Sequence, residues 1–175
     1  RGLEADLLLT VGGVSVGDYD FVARALSDAG VTIDFHKVAI KPGKPILFGK
    51  RANTPVIGLP GNPVSALVTF QVFVQPCLSR LLGHRAPFQE PVEIVLGADY
   101  QHSAGRTELV RATLARDGSE LRATLHRRQG SGSLPSMVGQ HALVILPAGR
   151  ETFAAGERLW ALRLGELRAT EPPFR

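Results

Sequence analysis

The spacing of apolar and polar positions changes partway along this chain. "ADLLLT" (residues 5–10) is a short continuous apolar run of the kind found in buried parallel strands. The glycine-rich stretch "GGVSVGD" (12–18) follows as a turn, and "DYDFVARALSDAG" (18–30) places apolar residues at 21, 22, 25, 26 and 29. Those five positions share one helical face, and Gly30 supplies the C-terminal stop. "VTIDFHKVAI" (31–40) alternates and predicts a single strand; "KPILFG" (44–49) and "TPVIGLP" (54–60) predict two more. "NPVSALVTFQVFVQPCLSRLLG" (62–83) predicts a long buried helix, kinked at Pro76 and stopped by Gly83. Strand, turn, helix, strand implies a parallel-rich sheet with helices on both faces.

After about residue 90 the period shortens. "PVEIVLGADY", "TELVRATLAR", "SELRATLHR", "HALVILPAG" and "ERLWALRLG" alternate and are separated by Gly, Asp and Ser turns, which predicts a small all-β module. The expected organisation is therefore an α/β unit over 1–84, a linker over 85–89 and a barrel-like β unit over 90–175. The α/β unit opens on one strand with no earlier partner. The expectation is the back half of a doubly wound domain, in a chain cut inside that domain.

Composition narrows the class. The chain has 175 residues, 44% hydrophobic and 21% charged, as in a soluble globular protein. No apolar stretch is read as reaching the ~18 residues needed to cross a bilayer, and "RGLEADLLLT" is a poor signal peptide because of Glu4 and Asp6. A cytoplasmic protein with no membrane partner is expected. The one cysteine, Cys77, excludes an internal disulfide framework and reads as a core thiol packed with Leu67, Phe70, Val74 and Leu81. The five histidines form no short ligand pair, which argues against structural zinc. The formal charge is +4; all four lysines lie at or before Lys50, and twelve of the sixteen arginines lie after residue 84. There is no basic block and no aromatic interleaving, so no nucleic-acid partner is expected. Trp160 reads as barrel core or domain interface, Arg127 and Arg128 as a solvated strand end, and His36 as structural.

Three stretches carry chemistry. A strand, a glycine turn and a helix N-terminus offer free N–H groups to an anion; Gly12 and Gly13 permit close approach and Ser15 adds a hydroxyl. The spacing matches neither the dinucleotide fingerprint nor a P-loop. On the residues alone the turn serves either a phosphate or a tight helix-on-sheet connection. Asp18 fits an N-cap. Asp20 either complements the helix dipole or holds a divalent cation beside a phosphate. "KPGK" (41–44) matches a type II turn with Pro42 second and Gly43 third, which brings Lys41 and Lys44 to one region. The lysines either splay into water or bracket a small oxyanion. In "GLPGNPVSAL" (58–67), Asn62 is placed as N-cap, Pro63 at the first helical position and Ser65 as a further cap.

In this order, "GGVSVGDYDF", "KVAIKPGKP" and "GLPGNPVSAL" resemble the molybdopterin molybdenumtransferase family, which includes bacterial MoeA and the E domain of gephyrin and its plant counterpart. The resemblance implies a MogA-like α/β domain followed by the family's C-terminal β-barrel-like domain. It implies insertion of molybdate into adenylylated molybdopterin, with hydrolysis of the adenylate to AMP and assistance from Mg²⁺. Asp20 matches the family's catalytic, metal-holding aspartate. Gly12, Gly13, Ser15, Asp18, Asn62, Pro63 and Ser65 match the pterin-binding stretches. Lys41, Lys44, Arg106 (in "GRTELVRATL") and Ser131 (in "QGSGS") match the molybdate site, which would sit between the two domains. Val11 stands where relatives often carry Ser or Thr. A homodimeric complete protein with a MogA-type partner is also implied. The alternatives are a non-catalytic pterin- or nucleotide-binding protein and a scaffold of the same fold.

Overall fold

The computed structural model describes residues 2–14 and 21–165. Its first half contains β1 (Leu8–Val11), α1 (Phe21–Asp28), β2 (Thr32–His36), β3 (Ile40–Lys41), β4 (Leu47–Arg51) and β5 (Thr54–Leu59). Four of these strands form a sheet in the order β1-β5-β4-β2. Helices flank both faces because side chains alternate across each strand. Leu8, Leu47 and Val56 pack with Val22 and Leu26 of α1, whereas Ile46, Phe48, Ile57 and Leu59 pack with Phe70, Val74 and Cys77 of the long helix.

The pairing differs from the parallel-rich expectation. Within this sheet only β1–β5 is parallel among the described pairs; β4–β5 and β2–β4 are antiparallel. The helix after β1 delivers the chain to β2 at the far edge of the sheet, and β4 and β5 then fill the space between them, each antiparallel to the strand before it in the sheet. The predicted strand over 31–40 is also interrupted. Lys37 takes a positive φ of 95°, and the Lys37 and Val38 amides donate to the carbonyls of Ile46 (2.8 Å) and Lys44 (3.0 Å). The chain turns there, and β3 leaves for the other sheet. On α1 the packed face is Val22, Ala23 and Leu26, while Phe21 and Ala25 face outward.

The long helix is continuous from Pro63 to Leu81. It comprises α2 (Pro63–Thr69), a π-helical stretch (Phe70–Val74) and α3 (Gln75–Leu81). Pro76 lacks an N–H, and the wider π turns just ahead of it accommodate that loss within the continuous helix. By length and composition this helix could cross a membrane, which corrects the reading that no such stretch exists. Its interspersed Ser, Thr and Gln hid the apolar average, and its buried side chains pack on both sheets. Cys77 packs with Phe70 and Val74 as expected, but Leu67 and Leu81 point outward.

The second half contains β6 (Val92–Leu96), β7 (Tyr100–Gln101), β8 (Thr107–Asp117), β9 (Glu120–Leu125), β10 (Ala142–Leu146), β11 (Thr152–Phe153) and β12 (Arg158–Arg163). The order β10-β12-β6-β9-β8, closed by β10–β8, makes a five-stranded barrel. Ile94, Leu96, Val110, Ala112, Ala123, Val144 and Ala161 fill it. Trp160 is not core: it alternates with inward Leu159 and Ala161 and remains 56% exposed. The 11-residue β8 is long enough to change partners, pairing β3 at its start, β10 in the middle and β9 at its end.

The two halves meet at Val64, Val68, Leu109 and Leu143, backed by Ile40 and Val72. Truncating Leu143→Ala removes the barrel's side of this contact. It should lower unfolding free energy by about 2–5 kcal/mol, measured by denaturant titration. Because the cluster bridges both sheets, the two halves should lose stability together; a loss confined to one half would refute the bridge.

Candidate functional site

β3 carries the sequence's lysine turn onto the barrel. It pairs in parallel with β8, Ile40 opposite Thr107 and Lys41 opposite Glu108. Beyond it, Gly43 adopts φ +112°, and a Cβ there would lie 2.5 Å from Thr69 Cγ2. Only glycine allows the turn to lie this close to α2. The Lys41–Pro42 peptide is cis.

Between the halves lies a cavity of about 620 Å³ lined by Gly13, Lys41, Lys44, Asn62, Ser65, Arg106, Gln129, Gly130 and Ser131, with Pro42, Gly43, Pro45, Pro60 and Gly61. The structure thus brings together Lys41, Lys44, Arg106 and Ser131 from segments far apart in sequence. Gly13 adopts φ +67° against Val22 at the cavity edge. Gly12 donates its amide to Leu59 O (2.9 Å), and neither it nor Pro63 lines the space. Ser15, Asp18 and Asp20 lie outside the described residues.

The start of α2 is built differently from the expectation. Asn62 occupies the N-cap but makes no side-chain cap bond. Its Nδ2 donates to Ser131 Oγ (3.2 Å), and the Val64 amide donates to Ser131 O (3.1 Å). The barrel loop therefore satisfies the helix end that Asn62 was expected to cap. Ser65 is buried and accepts, through its carbonyl, the Thr69 hydroxyl (2.7 Å).

The two lysines are not equivalent. Lys41 Nζ lies 3.0 Å from Glu108 Oε1, whose other oxygen is 3.1 Å from His102 Nδ1. The Glu108 and His102 side chains are essentially buried, at 2% and 1% exposure. Lys44 is exposed. Arg106 donates from Nη1 to Ile40 O (3.2 Å), which fixes it beside the turn. His36 donates from Nε2 to Val14 O (2.9 Å).

Sequence reasoning missed Glu108, His102, Arg111 and Gln129. One signal was available in "TELVRATL". Glu108 shares its strand parity with barrel-filling Val110 and Ala112, and a carboxylate at a core-parity position needs a partner. Nearby, burial and then the Glu108 carboxylate push the Tyr100 phenol up to about 12, against an opposing effect of Arg111. Burial holds the Arg111 guanidinium below its ordinary value, opposed by Tyr100 and Glu108.

Chemically, the cavity presents ammonium, guanidinium, amide and hydroxyl donors, and no carboxylate among its described lining residues. Such a donor set suits a compact oxyanion. Among the described residues no group of three His, Cys, Asp or Glu could hold a metal ion. The described part of the site therefore does not by itself fit Mg²⁺.

Fold and site together define an α/β unit joined to a small barrel, with a cavity lined by cationic and neutral donors at the junction. Residues 1–80 match the family described as a probable molybdopterin binding domain, and residues 93–162 match the MoeA C-terminal region (domain IV). The molybdopterin molybdenumtransferase of Haemophilus influenzae is 37% identical over 156 residues, covering 88% of this chain and 38% of that protein. The molybdenum cofactor synthesis protein cinnamon of Drosophila melanogaster is 41% identical, covering 87% of this chain and 26% of that protein. A solved molybdenum cofactor biosynthesis protein from Pyrococcus furiosus superposes with TM-score 0.66 at 30% identity, covering 90% of this chain and 49% of that one. The chain belongs to the molybdopterin molybdenumtransferase family, and it spans less than half the length of these relatives.

Tyr100, packed against the barrel core, gives the barrel a pH signature. Its phenol is raised from 10.0 to about 12, so the folded state holds that proton more tightly than the unfolded chain. The associated stability is complete below pH 10 and is lost as pH rises towards about 12. Tyr100→Phe should flatten that part of the stability profile in denaturant titrations. An unchanged slope would contradict the assignment.

Proposed function

We propose that the protein containing this chain acts in molybdenum cofactor biosynthesis, inserting molybdate into adenylylated molybdopterin with release of AMP. The observation that carries this reading is the junction cavity. Lys41 and Lys44 come from one half, Arg106 and Ser131 from the other, and all four line one space. Molybdate is a tetrahedral dianion. Lys44 and Arg106 supply charge and directional donors to it, Ser131 and Asn62 supply neutral donors, and Lys41 is oriented by Glu108. A cage built from two domains excludes water on several sides and presents the oxyanion to a pterin lying along the α/β half. The names of the relatives support a transferase over a non-catalytic binding protein or scaffold.

Mg²⁺ is part of this reading through Asp20. When bound it would polarise the phosphoric anhydride and offset phosphate charge. The reading also takes the complete protein as a cytoplasmic homodimer with a MogA-type partner.

Calorimetric titration with molybdate tests the cage. Lys44→Ala and Arg106→Ala should each weaken binding by about tenfold or more, since a charge-assisted hydrogen bond contributes roughly 1.5–3 kcal/mol. Unaltered affinity in both variants would reject the junction cavity as the oxyanion site. A complete protein that binds no molybdate would reject the function.

A further inference from the structure

Arg111 is the buried charged group that this cage does not use. It sits on β8 opposite Leu143 of β10, with the same strand parity as Leu109, and it is 0% exposed. A guanidinium at that depth carries a desolvation cost that an aliphatic side chain would not. Its hydrogen bonds show what it gains there. Nη2 donates to Arg128 O (2.8 Å) and Gly130 O (3.3 Å), two carbonyls of the loop that enters the cavity wall. Nε and Nη1 make no hydrogen bond among the described residues, so its acceptors are loop carbonyls and not a carboxylate.

The main chain of the same residue holds the same loop. The Arg111 amide donates to Gln129 Oε1 (3.1 Å), while Gln129 Nε2 donates to Arg111 O (3.0 Å) and His126 O (2.7 Å). The His126 amide also donates to Arg111 O (2.8 Å). The Gln129 side chain thus pairs with residue 111 as a neighbouring strand would. Ser131 follows this clamped stretch directly and meets Asn62 and Val64 at the start of α2.

We infer that Arg111 is a positioning residue for the oxyanion site: it holds the Gln129–Ser131 wall against α2 without touching the ligand. The ligand's identity rests on the function proposed above; the placement of the wall does not. Arg111 is suited to this because one planar fork reaches two carbonyls at once, whereas a lysine ammonium is a point donor on a flexible stem. Its charge also lies behind a wall that must face an anion.

The test compares the complete protein containing this chain with its Arg111→Met, Arg111→Lys, Ser131→Ala and Arg111→Met/Ser131→Ala variants. Amide hydrogen exchange at Val64, the donor to Ser131 O, reports the wall without any ligand. Arg111→Met should speed Val64 exchange about tenfold or more, with barrel-core Leu114 and Val144 changing less than about twofold, and Arg111→Lys should fall between. Molybdate affinity should drop about tenfold in Arg111→Met, and Ser131→Ala should cost far less in that background than alone. Val64 exchange that is unchanged, or that rises only in step with Leu114 and Val144, would overturn the inference. So would multiplicative effects of the two substitutions on affinity. If the parent protein binds no molybdate, the ligand reading fails and Val64 exchange alone decides the role of Arg111.

Discussion

The pairing of β3 with β8 is the constraint on which the remaining arrangement depends. Two residues of the α/β half, Ile40 and Lys41, lie against Thr107 and Glu108 of the barrel. A ladder this short contributes little by itself, at about 0.5–1.5 kcal/mol per hydrogen bond. Burial of Val64, Val68, Leu109 and Leu143 between the halves contributes more, at about 1.5–3 kcal/mol for each fully buried large side chain. The apolar cluster therefore supplies most of the adhesion. The ladder supplies register: it places the lysine turn beside the start of β8 and gives Arg106 the Ile40 carbonyl as its anchor.

That register makes the site's electrostatics asymmetric. Lys41 enters it already paired with a buried carboxylate, whose other oxygen lies 3.1 Å from His102 Nδ1. Lys44, three residues on, is exposed and has no ion-pair partner among the described residues. The cavity thus holds one lysine whose field is largely offset locally and one whose field is not. Glu108 thus orients one cation and moderates the total charge of a cavity that would otherwise gather several cations with nothing to balance them.

The start of α2 makes a related point. A helix N-terminus attracts anions through unsatisfied amides. Here the Val64 amide is already engaged by Ser131 O, and Pro63 at the first helical position has no amide to offer. Part of the helix's capacity goes into joining the two halves. The donors that line the described cavity are consequently side chains delivered from four separate segments more than the helix end itself.

Much of this was legible without coordinates. The change from helical to alternating spacing near residue 90 separated the helical half from the barrel half. The turn residues of "KPGK" and the helix entrance "NPVS" singled out Lys41, Lys44, Asn62 and Ser65, because Pro and Gly leave a local mark on the backbone. Strand order was not legible: two adjacent hairpins and one crossover obey the same alternation, and pairing direction depends on which edge the chain returns to. Nor was the break at Lys37, where ladder bonds to Ile46 and Lys44 outweigh a local β preference. Glu108, His102, Arg111 and Gln129 lay outside any motif, since each takes its meaning from a partner distant in sequence. Sequence determined which residues could recognise an oxyanion; tertiary structure alone decided which stand together and which is neutralised, because hydrogen bonds and ion pairs act over a few ångströms of space, not along the chain.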